Sequence, residues 1–238
     1  MSAVRPGLHL IPVGLANTPC DSWLPADTRR VAAQLEIYIA ENARSARAFL
    51  KQIGTEHPLQ SILIHSLDAR TDVRDMRTWL APLGQGKAIG LVSEAGCPAV
   101  ADPGARVVAL AHAAGHAVIP HVGPSSILLG LMASGLDGQR FSFHGYAPVK
   151  PPERARQLRQ WETQSRRLQQ TQILIETPYR NMAMFDTLLQ TLAPATRLCI
   201  ACELTGPGEW IRTRTVDAWR NGPRPELAKR ACLFLFQA

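Results

Sequence analysis

The sequence predicts an α/β protein with an open, mostly parallel sheet and helices on both faces, followed by a second, mixed-sheet α/β domain. Strand-like and helix-like segments alternate from residue 8 onwards. The run KAIGLVS at 87–93 is continuously apolar, as in a strand buried within a parallel sheet. The stretch APVKPPER at 147–154 holds three prolines and is predicted to be a linker. We therefore expect two domains, 1–147 and 148–238.

The elements of the first domain follow from short apolar runs and from helical spacing of apolar residues. Strands are expected at 8–13, 34–40, 61–67, 87–93, 116–122 and 140–146. Helices are expected at 42–53, 72–83, 105–115 and 126–134, the first because apolar side chains recur at three- and four-residue intervals. Asp102–Pro103 and Gly115 mark the two ends of the third helix, and Gly123–Pro124–Ser125 introduces the fourth.

The second domain begins with a basic helix and then contains more consecutive strands. Helices are expected at 153–169 and 180–192, and strands at 171–177, 197–204, 209–215 and 231–237. Because strands follow one another without an intervening helix, this sheet is expected to be mixed.

Composition limits the class of protein. No apolar run approaches the ~18 residues that span a bilayer, and the first residues lack an export signal, so we expect a soluble, cytoplasmic protein. The five cysteines are scattered, and alternation along a strand points Cys199 and Cys202 to opposite faces, so neither a disulfide scaffold nor a metal site is expected.

Positive charge is concentrated in the second domain. Residues 151–238 carry 13 Lys/Arg against 8 Asp/Glu, whereas residues 1–150 carry 13 against 11. This favours an anionic partner such as RNA, although a basic surface that only keeps the protein in solution explains the charge equally well.

The bend SEAGCPAVADPG at 93–104 follows the strand that is predicted to be the most buried. In open α/β sheets, ligands bind beyond the carboxyl ends of strands. A phosphate loop supplies backbone N–H groups and cations, whereas this bend supplies two carboxylates and two glycines. It suits a ligand with ribose hydroxyls and a positive centre, such as S-adenosylmethionine. A rigid turn in which Asp102 caps the next helix fits the same residues.

Five short motifs, in order, are similar to those of the tetrapyrrole (corrin/porphyrin) methylase family, and most of all to its branch that 2′-O-methylates cytidine in small-subunit ribosomal RNA. The bend at 93–104 resembles that branch's S-D-A-G-T-P-x-x-S-D-P-G. The other four are Glu41-Asn42-Ala43-Arg44, Gly123-Pro124-Ser125-Ser126, Glu176-Thr177-Pro178-Tyr179-Arg180 and Ala201-Cys202-Glu203-Leu204-Thr205. The likeness extends from about residue 8 to the C-terminus. The first loop, Pro12–Asn17, and the segment HSLDART at 65–71 depart from the branch.

The resemblance implies two α/β domains, a donor cleft between them, S-adenosylmethionine as methyl donor, ribosomal RNA as substrate and a homodimer. The donor contacts that it implies are Pro12, Ser93, Glu94, Ala95, Val100, Ala101, Ser125, Ser126, Leu204 and Thr205. A general base helps a ribose hydroxyl to attack, and arginines bind phosphate. The candidates for these tasks are Glu41, Arg44, Asp102, Glu176, Arg180 and Glu203.

Two other functions remain open at this point: methylation of a tetrapyrrole or another small metabolite, and a donor-binding module without catalysis. Structural ion pairs explain the Glu41/Arg44 and Glu176/Arg180 spacings equally well. We further hypothesise that the basic helix at 153–169 follows an RNA backbone. Its arginines are Arg154, Arg156, Arg159, Arg166 and Arg167, and Leu158, Trp161 and Leu168 are expected to form its apolar stripe.

Overall fold

A computed structural model describes residues 4–238 of the chain. These residues form two compact units, one ending at Ser125 and the other comprising Ser126–Ala238. Each unit is built around its own five-stranded sheet.

The first unit is a parallel α/β sheet. Its elements are β1 (Gly7–Leu10), α1 (Ala26–Gln34), β2 (Ile37–Ala40), α2 (Ala43–Ile53), β3 (Leu63–Ser66), α3 (Val73–Leu80), β4 (Ala88–Val92), α4 (Gly104–Ala113) and β5 (Val118–Pro120). All described strand pairs are parallel, in the order β3-β2-β4-β1-β5. Strand β1 pairs with the central strand β4 on one side and with β5 on the other, so the loops after these three parallel strands leave the same edge.

Helices cover both faces of this sheet. One core packs α1 and α2 against the sheet around Tyr38 and Ile11, and the other packs α3 and α4 around Ile39 and Leu91. This arrangement follows from the right-handed crossovers of successive βαβ units, which place helices on opposite faces when the chain reverses direction along the sheet. The predicted doubly covered parallel sheet is confirmed.

The second unit contains a mixed sheet. Its elements are α5 (Ser126–Ser134), β6 (Phe141–Tyr146), α6 (Pro151–Leu168), β7 (Thr171–Glu176), α7 (Asn181–Thr191), β8 (Arg197–Cys202), β9 (Trp210–Thr215), α8 (Val216–Arg220) and β10 (Cys232–Gln237). The strand order is β6-β7-β10-β8-β9, with β6 and β7 parallel and the other pairs antiparallel. A mixed sheet was expected here.

Three of the differences between the structure and the sequence-based expectations concern the domain boundary, one helix and one side chain. Strand β6 pairs with β7 and not with the first sheet, so the division at Ser125 precedes the expected boundary at 147. Helix α1 was not expected, because its mostly polar sequence gives a weak periodic signal. Leu168, expected in the apolar stripe of α6, is 42% exposed, so that assignment is wrong. No helix among residues 4–238 is both long and apolar enough to cross a membrane.

Candidate functional site

Three loops meet at the carboxyl edge of the first sheet. The loop after β1 pairs with the bend after β4, since Val13 N–H donates to Gly96 O at 3.0 Å and Gly96 N–H donates to Val13 O at 3.1 Å. Gly96 has φ +73, a conformation that favours glycine. The pairing fixes the position of the bend beyond the sheet.

The loop after β5 packs directly against the other two. A Cβ atom at Gly123 would overlap the ring of Pro12, so only glycine allows this approach. Cys97 Sγ donates to Pro124 O at 3.4 Å from the other side. The predicted donor residues Pro12, Ser93, Glu94, Ala95 and Ser125 therefore lie on loops that contact one another.

Asp102 shapes the bend from within. Its Oδ1 accepts hydrogen bonds from Ala99 N at 3.0 Å and Gly104 N at 2.6 Å. Its Oδ2 is buried and has no partner among the described residues. Burial is the main cause that raises the pKa of this carboxyl group. Asp102 thus holds the turn and accepts from the first N–H group of α4, whose N-cap position is Pro103, and it still offers one unsatisfied oxygen.

The backbone of the same bend is strained. Ala99 and Ala101 have φ of 67° and 63°, in the left-handed region that residues with a Cβ rarely adopt. Strain of about 1–3 kcal/mol per residue is typically retained where function requires a particular backbone geometry. Val100 between them is 47% exposed and is therefore accessible to a ligand.

Glu41 lies at the end of β2, beside the bend. Its Oε1 accepts a hydrogen bond from Glu94 N at 3.1 Å, and Ser45 Oγ donates to Glu94 Oε1 at 3.0 Å. Burial raises the pKa of Glu41, and the negative charges of Asp102 and Glu94 raise it further. The site therefore contains a carboxyl group that binds a proton more readily than usual.

Arg44 does not pair with Glu41. Its side chain is exposed and takes part in no salt bridge among residues 4–238. Asn42 caps α2 by accepting from the backbone N–H groups of Arg44 and Ser45. The ion-pair explanation of the Glu41/Arg44 spacing is therefore wrong, and Arg44 is free to contact an anion.

A cavity of about 290 Å³ opens beside the bend, within the first unit. It lies between the loop after β1, helix α2 and the start of the bend. Its lining residues are Val13, Gly14, Ala16, Asn17, Ser45, Ala46, Ala48, Phe49, Gln52, Ser93 and Glu94. The amide, hydroxyl and carboxylate groups among them suit a hydroxylated ligand.

In the second unit, Glu176 and Arg180 form a buried ion pair. Arg180 donates through Nη2 and Nε to Glu176 Oε1 at 2.5 and 2.9 Å, and Thr177 N donates to the same oxygen at 2.7 Å. The Glu176 side chain is fully buried. This geometry agrees with the structural explanation of the Glu176/Arg180 spacing, because three hydrogen-bond donors engage Glu176 Oε1.

The turn after β8 is strained like the bend in the first unit. Glu203 and Thr205 have φ of 48° and 67°. Thr205 N–H donates to Glu209 Oε2 at 2.7 Å, and Arg230 pairs with Glu203 at 3.1 Å. Thr205 Oγ1 is buried without a partner among the described residues, and Leu204 is buried.

Cys202 pairs with a cysteine that the sequence pattern does not indicate. Register places it opposite Cys232 on β10, and their sulfur atoms lie 2.9 Å apart. Cys199 is separate, and burial raises its pKa to about 11. Among residues 4–238, no group of three or more potential ligands is arranged to hold a metal ion.

Helix α6 presents a one-sided arginine face. Four of its arginines are exposed and take part in no salt bridge among the described residues: Arg156, Arg159, Arg166 and Arg167. At 3.6 residues per turn they lie opposite the buried Leu158 and Trp161. Arg154 was expected on this face, but it is buried and donates to Thr187 Oγ1, so that prediction is wrong.

Comparison with solved structures identifies the fold. The methyltransferase CobJ matches with a TM-score of 0.63 at 16% identity, over 97% of this chain and 93% of that protein. Uroporphyrin-III-C-methyltransferase from Thermus thermophilus matches with a TM-score of 0.56 at 16% identity, over 98% and 94%. The two-domain fold of the tetrapyrrole methyltransferases, implied by the resemblance, is confirmed. No protein-family model matches the chain.

Three relatives share the name ribosomal RNA small subunit methyltransferase I. The Xylella fastidiosa protein is 32% identical over 199 residues, which are 83% of this chain and 68% of that protein. The Neisseria meningitidis serogroup B protein is 31% identical over 78% of this chain and 60% of its own length. The Mesorhizobium japonicum protein is 31% identical over 90% and 69%. The matches thus span about two thirds of the relatives' lengths.

Fold and relatives together define an S-adenosylmethionine-dependent methyltransferase. The chain belongs to the ribosomal RNA small subunit methyltransferase I family. The described residues of the first unit fit the methyl donor, since Asp102 Oδ2 is buried without a partner on the strained bend where donor contacts were predicted. In the second unit, Thr205 Oγ1 is likewise buried without a partner among the described residues, on the strained turn after β8.

Proposed function

We propose that this chain methylates a ribose 2′-hydroxyl of small-subunit ribosomal RNA in the cytoplasm. The observation that carries the methyl-donor part of the proposal is the concentration of backbone strain: of the six non-glycine residues with positive φ within residues 4–238, four are Ala99, Ala101, Glu203 and Thr205. All four lie on two turns that each hold one of the buried polar atoms without a partner among residues 4–238, Asp102 Oδ2 and Thr205 Oγ1. Such strain is retained where the backbone must fit a ligand.

The donor, when bound, supplies a methyl group on a positively charged sulfur. In the first unit, Asp102 Oδ2 would hold one of its polar groups, and Pro12 and Ser93 to Ala95 would form part of its enclosure. Thr205 Oγ1 is the contact that we propose in the second unit. Val100, Ala101, Ser125, Ser126 and Leu204 remain the other proposed contacts. Because displacement at a sulfonium methyl has a good leaving group, alignment supplies much of the acceleration, up to roughly 7–11 kcal/mol in favourable cases.

We assign the general base to Glu41. Glu41 would accept the proton of the 2′-hydroxyl as that oxygen becomes methylated. Glu176 and Glu203 are neutralised by arginines, and Asp102 Oδ1 is engaged by two backbone N–H groups. Glu41 has no cationic partner among the described residues and has a raised pKa, which suits proton transfer near neutral pH.

RNA is the proposed substrate because exposed arginines are available to bind phosphate. Arg44 stands at the start of α2, and the α6 arginine face provides four more guanidinium groups without acidic partners among the described residues. Guanidinium groups bind phosphate through paired hydrogen bonds. Arg180 is engaged by Glu176 and is assigned a positioning role instead.

We also propose a homodimer. Helix α5 carries no charged residue, and Leu128 and Met132, one turn apart, are 52% and 79% exposed. An apolar stripe on an uncharged helix is stabilised when a second copy covers it.

The test of the function is transfer of a radiolabelled methyl group from S-adenosylmethionine to small ribosomal subunits that lack the modification, followed by mapping of the label. Alkali-resistant label at a ribose supports the proposal. Label on a base, or transfer to a tetrapyrrole but not to RNA, contradicts it.

A further inference from the structure

A second cavity, of about 460 Å³, lies beside strand β9 in the second unit. Strand β9 is at the edge of its sheet and pairs only with β8. The tryptophans Trp210 and Trp219 line one wall, and the segment 223–230 lines the other. We call this cavity the β9 groove. Its volume is within the range of pockets that bind small organic ligands.

The β9 groove combines aromatic rings with arginines. Alternation along β9 puts Trp210, Arg212 and Arg214 on the same face of the sheet. The guanidinium carbon of Arg212 lies 5.8 Å from the centre of the Trp210 ring, and Trp219 packs edge-on against Trp210 at 6.1 Å. A tryptophan face next to a guanidinium group is the combination with which proteins stack a base and bind its phosphate.

Arg212 is the arginine of this groove that is available for a ligand. Arg224 pairs with Asp186 at 2.5 Å, and Arg230 pairs with Glu203 at 3.1 Å. Arg212 is exposed and takes part in no salt bridge within residues 4–238.

The two carboxylates that line the groove are engaged by backbone groups. Glu209 accepts from Thr205 N at 2.7 Å, and Glu226 accepts from Ala228 N at 3.1 Å. Both carboxylates already have hydrogen-bond donors, whereas Arg212 has no acidic partner there. Both carboxylates keep their negative charge, and Arg212 is the lining guanidinium group that no carboxylate holds in a salt bridge among the described residues.

The β9 groove and the strained turn after β8 share residues. Glu209 lines the groove and holds Thr205, and Arg230 lines the groove and donates to both Glu203 and Gly208 O. A ligand in the groove therefore lies next to the turn where we propose donor contacts.

We propose that the β9 groove binds one unpaired nucleotide of the RNA substrate, with its base on Trp210 and its phosphate on Arg212. This inference rests on the proposed RNA methylation. Stacking selects for single-stranded RNA, because the face of a base is accessible only where the strand is unpaired.

The test measures binding of a fluorescein-labelled, single-stranded 12-nucleotide RNA by fluorescence anisotropy at several salt concentrations. The full-length variants are Trp210→Ala, Trp210→Phe and Arg212→Gln. The control Arg77→Gln removes the same charge from an exposed position on α3 in the first unit. Thermal unfolding establishes that each variant is folded.

We expect Trp210→Ala to weaken binding roughly 5- to 150-fold, since stacking contributes about 1–3 kcal/mol per base, and Trp210→Phe to retain most of the affinity. Arg212→Gln should lower the slope of log K against log salt by about 0.7. Arg77→Gln should behave like the wild type.

Three results would overturn the inference. The first is that Trp210→Ala and Arg212→Gln bind the RNA with the affinity of the wild type. The second is that an acidic peptide such as oligoglutamate displaces the labelled RNA as well as unlabelled RNA does. The third is that the wild type does not bind RNA. The methylation assay separates the two proposals. If the wild type methylates ribosomal RNA while the groove variants bind RNA with wild-type affinity, only the groove proposal is refuted. If the wild type does not methylate ribosomal RNA, the proposed function is refuted.

Discussion

The backbone N–H of Glu94 donates to Glu41 Oε1 at 3.1 Å, which joins the end of β2 to the bend after β4. Glu41 thereby has two tasks in our account: one oxygen positions the bend, and the carboxyl group accepts a proton. Glutamine retains an oxygen that accepts from Glu94 but cannot act as the base. This difference separates the two tasks experimentally.

Glu41→Gln is expected to lower kcat by about 10²–10⁴-fold while donor affinity changes little, because a general base contributes in that range. In the wild type, burial raises the pKa of Glu41 above the ordinary 4.5. When the pH is lowered, kcat should therefore begin to decrease at a pH above 4.5, because the base becomes protonated. Measuring kcat against pH with ribosomal subunits checks both points. A variant with wild-type kcat would exclude Glu41 as the base.

The same substitution is expected to preserve or raise stability. A carboxyl group whose folded-state pKa is raised stabilises the fold fully below its unfolded-state pKa and loses that contribution as pH rises through the raised value. At pH 7, removal of the charge therefore relieves a cost. Thermal unfolding at pH 7 should give a Tm equal to or above that of the wild type, and a clear decrease would contradict a raised pKa of Glu41 in the folded state.

Asp102→Ala is expected to lower the free energy of unfolding by about 1–3 kcal/mol, because Ala99 N and Gly104 N lose their acceptor. Asp102→Asn retains that acceptor and should cost less. Urea unfolding of the two variants measures the difference. Equal stability of Asp102→Ala and the wild type would contradict the assignment of Asp102 as the residue that holds the turn.

Replacement of Arg156, Arg159 and Arg166 by glutamine is expected to lower the slope of log K against log salt for RNA binding by about 2, or somewhat more for paired RNA. These residues belong to the arginine face of α6, opposite its buried side. Replacement of Arg70, Arg74 and Arg77 removes the same charge elsewhere and serves as the control. Equal slopes for both triple variants would mean that α6 does not contact the RNA.

Met132→Glu is expected to yield a monomer, since a charge at the exposed apolar face of α5 opposes its burial against a second copy. Light scattering after size-exclusion chromatography gives the mass of wild type and variant. The control Val149→Glu places the same charge at another exposed apolar residue. If the wild type is a monomer, or if Met132→Glu is still a dimer, the apolar face of α5 is not the dimer interface.

Much of the fold could be predicted, because its signals are local. The apolar run at 87–93 and the turn residues around 102–104 mark β4, the bend and the start of α4, and all three occur. The division at Ser125 could not be predicted, since it depends on which strand β6 pairs with. The burial of Arg154 could have been predicted from the sequence. Leu158 and Trp161 follow it by four and seven residues, so the three side chains lie on the same face of α6.

Less of the site could be predicted, because its geometry depends on contacts between distant residues. The motifs located the loops, but the pairing of Val13 with Gly96 and the left-handed backbone of Ala99 are visible only in three dimensions. Likewise, sheet register alone brings Cys232 opposite Cys202.

Calorimetric titration with S-adenosylmethionine tests most directly whether the loops after β1, β4 and β5 hold the donor. The wild type should bind, and Gly123→Ala should lose most of the binding because its Cβ would push the loop off Pro12. Gly84→Ala, at a glycine with open space around its Cβ position, should bind normally. A wild type that does not bind, or a folded Gly123→Ala with unchanged affinity, would contradict the account.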